Sequence, residues 1–163
     1  MAAGRAVPHD DALHPRRREP PRRPDTISFL VRSPMSLTSE QIGHLVTAML
    51  AVNGFGTDRA AALLPAFQTR GLLDAPRAAG MDRDALIAAM TDAGYARGGF
   101  LPILWYRHQQ LMEAVSKGLL DGLPTLASAG REAEFKTKLA AVHGWGPVTA
   151  ATAWSLWRAQ TRR

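Results

Sequence analysis

The stretch Leu139-Ala140-Ala141-Val142-His143-Gly144-Trp145-Gly146-Pro147-Val148-Thr149-Ala150 decides how this chain is read. Two glycines flank one apolar residue between two segments of helical character. Glycine enters positive φ without strain, so the pair predicts a very tight reversal. Pro147 suits the first turn of the next helix, where its missing N–H would have no partner anyway. The expected product is a short hairpin with free backbone N–H groups at a helix start. Those groups and the helix dipole both favour an anion, which makes the arrangement suitable for a phosphate. A plain inter-helix turn is the competing interpretation, since short connections with glycine are common between helices.

Upstream of the hairpin, apolar spacing is helical from Met35 onward. Ile42, Leu45, Val46, Met49 and Leu50 form one helix face, with Thr38 or Ser39 as cap and Gln41 placed for a capping box with Thr38. Asn53-Gly54-Phe55-Gly56 breaks that helix. Thr57 is expected to cap a second helix carrying Ala60, Leu63, Leu64 and Phe67, with Pro65 ending or kinking it. A third helix is expected over about Asp82 to Asp92, with Leu86, Ala89 and Met90 inward and Gly94 stopping it. A fourth runs from near Gly98 to about Lys117, tolerates Pro102 in its first turn, and turns Phe100, Ile103, Leu104, Leu111 and Val115 inward. Residues 118–130 read as a loop. A fifth helix covers about Glu132 to Ala141 with Phe135 and Leu139, and a sixth runs from Pro147 to about Gln160. No segment alternates with period two for long enough to be a strand. The expected fold is all-α: a six-helix bundle or barrel over residues 35–163.

Residues 1–34 differ. They hold 6 of the 11 prolines and the clusters Arg16-Arg17-Arg18 and Arg22-Arg23. Such a composition cannot repay the entropy of ordering, so a disordered arm is expected. It reads as a DNA-binding arm, a solvated tail or a start placed too early, with Met35 as the domain's natural opening. A transit peptide fits poorly with Asp10, Asp11, Glu19 and Asp25.

The chain of 163 residues lies in the range of one domain, and its 46% hydrophobic content can fill a core. It has no cysteine, which excludes disulfides, thiolate zinc sites, iron–sulfur clusters and a cysteine nucleophile. The net charge of +6 leans towards nucleic acid or another anionic partner. His9, His14, His44, His108 and His143 show no metal-ligand spacing, and no cofactor is expected. Asp82 and Asp84 sit where a helix dipole favours them. Trp105-Tyr106-Arg107-His108 lies mid-helix and reads as a core edge more readily than as a base-stacking platform. No apolar run approaches membrane-spanning length, and a cytoplasmic, nucleoid-associated location is the default expectation.

The stretch Val142-His143-Gly144-Trp145-Gly146-Pro147-Val148-Thr149-Ala150 resembles the helix-hairpin-helix DNA-binding motif. It is most similar to the form found in the DNA glycosylase superfamily of endonuclease III, where apolar–Pro–Gly–apolar–Gly–x–x–Thr–Ala is typical. His44 to Asn53 followed by Thr57-Asp58 resembles that family's first barrel helix and the start of its second. Ala93-Gly94-Tyr95 before a long helix resembles its Gly-x-Tyr segment. The resemblance covers about Thr38 to Gln160, in the family's order.

The resemblance implies that Gly144, Trp145, Gly146, Pro147, Val148 and Thr149 hold a phosphate of double-stranded DNA, with Lys138 and Arg158 nearby. From Phe135 onward there are five basic residues and no acidic one. Asn53 matches the place of a polar residue that fills the gap left by a flipped base; it also fits a helix C-cap before Gly54. The family's catalytic aspartate lies beyond the second hairpin helix, where only Thr161, Arg162 and Arg163 follow. The position of its nucleophilic lysine holds Val148. The expectation is therefore a DNA-binding relative of base-excision-repair glycosylases without autonomous glycosylase activity. A second domain would be lacking, leaving an apolar surface for a partner or self-association. Trp154 and Trp157 are either members of that surface or core residues. The alternatives are an active monofunctional glycosylase with a non-standard or partner-supplied carboxylate, a helical interaction module that binds no DNA, and a truncated gene product.

Overall fold

A computed structural model describes residues 36–95 and 101–160. Every regular element among them is helical. In chain order these are α1 (Ser39–Leu50), a π-helical turn (Ala51–Phe55), α2 (Thr57–Thr69), α3 (Ala75–Ala79), α4 (Arg83–Asp92), α5 (Leu101–Ser116), α6 (Leu123–Ser128), α7 (Glu132–Ala140) and α8 (Pro147–Gln160). No helix among the described residues is long and apolar enough to cross a membrane. The expected arm, residues 1–34, and the expected helix start near Gly98 lie outside the described residues.

Local chemistry starts α1 where the pattern says it should. The Thr38 side chain accepts from the Gln41 amide at 3.2 Å, and the Gln41 side chain accepts from the Thr38 amide at 2.9 Å. This capping box satisfies two N–H groups that the helix itself leaves without partners. The apolar face Ile42, Leu45, Val46, Met49 and Leu50 is buried, and Gly43, Thr47 and Ala48 are buried with it. A helix covered on so many sides must be central, and α1 packs against α2, α5 and α8.

Eight α-helices among the described residues replace the six expected. The additions are short. α3 is one turn capped by Asp74, whose carboxylate accepts from the Arg77 amide at 3.1 Å, with proline in its first turn. α6 lies inside the segment read as a loop and also has proline in its first turn, Pro124. Helices of five or six residues are too short to display an apolar period. The backbone leaves helical geometry at Asn53 and Gly54, within the expected break, but Thr57 is the first residue of α2 and not its cap: the cap is Gly56, at φ +84 and with no side-chain bond. Pro65 does not end α2, which continues to Thr69. The wholly buried Phe67 holds the final turn, and the Thr69 hydroxyl donates to the Pro65 carbonyl at 3.0 Å.

On α5 the expected inward residues Leu104, Leu111 and Val115 are buried, and His108 and Met112 are buried with them; Ile103 is instead 51% exposed, and Phe100 lies outside the described residues. The His108 Nε2–H donates to the Leu72 carbonyl at 2.9 Å, while Nδ1 has no hydrogen-bond partner among the described residues. Burial pushes the His108 pKa down to about 4.

α7 and α8 pack against each other through one aromatic cluster. Phe135 lies 5.2 Å from Trp154 and 5.5 Å from Trp157, centroid to centroid, both edge-on. Phe135 is wholly buried and both tryptophans are buried. They belong to the core and not to an uncovered apolar surface.

Candidate nucleic-acid interface

Residues 141–146 join α7 to α8, and the link is a tight turn. The Val142 amide donates to the Leu139 carbonyl at 3.1 Å, and the Trp145 amide donates to the Val142 carbonyl at 3.0 Å. In a four-residue turn over 142–145 the third position is Gly144, whose φ is +81. A side chain there would be strained. It would also be crowded, because a Cβ on Gly144 would sit 3.1 Å from Arg107 Cγ. Gly146 differs from the expected pair: its φ lies outside the positive region, and a Cβ added there would meet nothing within 4 Å. The fold needs one of the two glycines. The other leaves open space beside the start of α8.

The turn alternates inward and outward residues. Val142 and Trp145 are buried, while His143 and Gly144 are exposed. The Trp145 Nε1–H points at the Arg107 carbonyl, 3.4 Å away, which anchors the turn from beneath. The tryptophan ring is therefore not available to a ligand, and the Trp145 amide is spent on the Val142 carbonyl. Pro147 and Val148 are exposed, Val148 by 67%, and Thr149 is buried.

The helix start is open. The first helical bond of α8 runs from the Ala150 amide to the Gly146 carbonyl at 3.1 Å. Among the described residues, none accepts a hydrogen bond from the amides of Gly146, Val148 or Thr149. Gly146 has no side chain to cap them. These donors stand at the positive end of the helix dipole, the geometry in which a backbone holds an anion.

The charge around the turn is not the charge the sequence suggests. Lys136 is paired with Glu132, and Arg131 with Glu134. Lys138 keeps no ion-pair partner among the described residues; it is half-buried in the last turn of α7. It lines a groove of about 400 Å³ with Lys117, Leu119, Leu120, Val142 and His143. Arg158 does not adjoin the hairpin. It lies three turns along α8, about 16 Å from Pro147 at 1.5 Å per residue. Its guanidinium donates to the Ala127 carbonyl at 3.2 Å and stands 5.5 Å from the Trp154 ring centre. It is committed to the far end of the helix and not to the turn where the sequence placed it.

Asn53 does approach the hairpin, through an intermediary. Its amide donates to the Met49 carbonyl at 2.8 Å, as a helix-ending asparagine does. Its Oδ1 accepts from Arg107 Nη1 at 3.3 Å. Arg107 thus touches both the π-helical turn and the hairpin. Next to it, the Tyr106 hydroxyl lies 2.8 Å from His143 Nδ1. Sequence reasoning missed Tyr106 and Arg107 as site residues. They precede the hairpin by more than thirty positions, and nothing in a mid-helix Tyr-Arg pair announces what will pack on it.

No group of three or more His, Asp or Glu among the described residues is arranged to hold a metal ion. Comparison with models of known protein families, with curated proteins and with solved structures finds no match in any of the three.

Proposed function

We propose that this chain binds double-stranded DNA through the sugar-phosphate backbone, with α7, the 141–146 turn and α8 acting as a helix-hairpin-helix. The observation that carries this reading is the open start of α8: three backbone donors with no acceptor among the described residues, beside a glycine whose missing side chain leaves room for an approaching strand. Each residue has a separate part. Gly144 makes the turn, Trp145 anchors it, and Pro147 starts the helix. Gly146, Val148 and Thr149 offer their amides, and Lys138 supplies charge close by. Contacts of this kind position a protein on DNA and carry no base preference.

The resemblance to the endonuclease III superfamily supplies the expected setting, base-excision repair. The hairpin itself offers donors for a phosphate and no carboxylate for glycosidic cleavage, so binding is the activity proposed.

The test is a titration of a short duplex at several salt concentrations, with wild type and Gly146→Val. Wild type should bind at low salt and weaken steeply as salt rises. The valine variant should stay folded, because its side chain meets open space, and should lose most of its binding. Negligible wild-type binding at low salt, or equal binding by the folded variant, rejects the reading.

A further inference from the structure

We propose that Arg107 is a further DNA-contacting residue, taking the phosphate that neighbours the one seated on the hairpin. The inference rests on the DNA-binding reading of the hairpin and adds a residue that neither the motif nor the charge pattern marks.

Three observations converge on it. First, the Arg107 stem is fixed at the turn: its Cγ lies 3.1 Å from where a Gly144 Cβ would be, and its carbonyl faces the Trp145 indole N–H. The charged end is thereby delivered beside the hairpin with little side-chain freedom left to lose on binding. Second, the guanidinium reaches Asn53 on the other side at 3.3 Å, so it spans the ground between the π-helical turn and the hairpin. Third, no carboxylate among the described residues neutralises it. Arg70 and Arg131 each pair with a carboxylate, whereas the hydrogen-bond acceptor of Arg107 is the neutral Asn53 oxygen. A guanidinium has five N–H donors in a planar fork, and a phosphate takes two of them at once. A half-buried arginine with donors to spare, held against a phosphate-binding turn, is matched to an anion on the same strand.

Stem and charge have separable roles, and this makes the inference testable. Arg107→Met keeps an unbranched stem against Gly144 and removes the charge. Arg107→Lys restores the charge without the fork. Wild type, both variants and Gly146→Val are titrated with the same duplex between about 50 and 200 mM salt, and the slope of log affinity against log salt is read. Arg107→Met is expected to give a slope shallower by about 0.9, the change that follows when one phosphate is no longer neutralised, and Arg107→Lys to restore the wild-type slope. A residue that only supports the turn would weaken binding equally at every salt concentration. An unchanged slope for Arg107→Met, with wild type bound and Gly146→Val impaired, therefore overturns this inference alone. Wild type failing to bind, or matched by Gly146→Val, overturns the hairpin reading and this inference with it. If thermal melting shows Arg107→Met unfolded, Arg107→Gln, which keeps a donor for Asn53, replaces it in the same comparison.

Discussion

The Tyr106 hydroxyl stands 2.8 Å from His143 Nδ1, and this bond ties the middle of α5 to the exposed tip of the hairpin. Their rings meet edge-on with centroids 5.5 Å apart. Tyr106→Phe keeps the ring contact and removes the bond. The bond is exposed to solvent, so the variant should lose less than about 1 kcal/mol of stability in urea unfolding. Hydrogen exchange at the Trp145 amide, which donates to the Val142 carbonyl, should quicken, since the turn loses one of its ties to α5. Unchanged exchange would show that Trp145 alone holds the turn.

The two hairpin glycines should respond differently to alanine. Gly144→Ala forces a Cβ into a left-handed conformation and against Arg107, and should cost about 1–2 kcal/mol or more. Gly146→Ala meets open space and should change stability by less than about 0.5 kcal/mol. Thermal or chemical melts of the two variants side by side check the asymmetry. Equal losses would mean that Gly146 also serves the fold.

Phe135 joins α7 to α8 through both tryptophans, and its ring is wholly enclosed. Phe135→Ala should cost about 3–5 kcal/mol in equilibrium unfolding. A loss near 1 kcal/mol, read against that same range, would show that the two helices are held mainly by other packing.

His108 makes stability depend on pH. Its folded pKa is about 4, below the ordinary 6.5, so the unfolded chain takes up the proton first. Folding is undisturbed above pH 6.5, loses stability as pH falls from 6.5 towards 4, and carries the whole penalty below 4. A lowering of that size corresponds to a loss on the order of 3 kcal/mol. Urea unfolding of wild type and His108→Gln, which does not titrate there, should give curves that diverge over this interval. Parallel curves would show that the imidazole is not sealed from solvent.

What the sequence made legible follows from the length and exposure of each element. α1, α7 and α8 are long or strongly marked: Thr38 with Gln41 and Pro147 state where α1 and α8 begin, and Phe135 with Leu139 marks the buried face of α7. α3 and α6 are single short turns of five and six residues, too short for a period to betray them. On α5, His108 occupies a core position because the Leu72 carbonyl happens to face it, a tertiary fact with no local signature. The turn at 142–145 was legible because Gly144 must adopt positive φ. The charge distribution was not. What Lys136 and Arg158 can offer a ligand depends on Glu132 and the Ala127 carbonyl, partners that only the folded chain brings into reach.

The same packing has an optical consequence. Of the four tryptophans, Trp145, Trp154 and Trp157 are buried on α8 or in the link that leads into it, and only Trp105 is half-exposed. Intrinsic emission from the folded chain is therefore dominated by the α8 end of the molecule. Detachment of α7 from α8 would shift that emission to longer wavelength and leave most of the helical signal unchanged, so loss of this one helix pair can be followed separately from loss of the whole fold without attaching a dye.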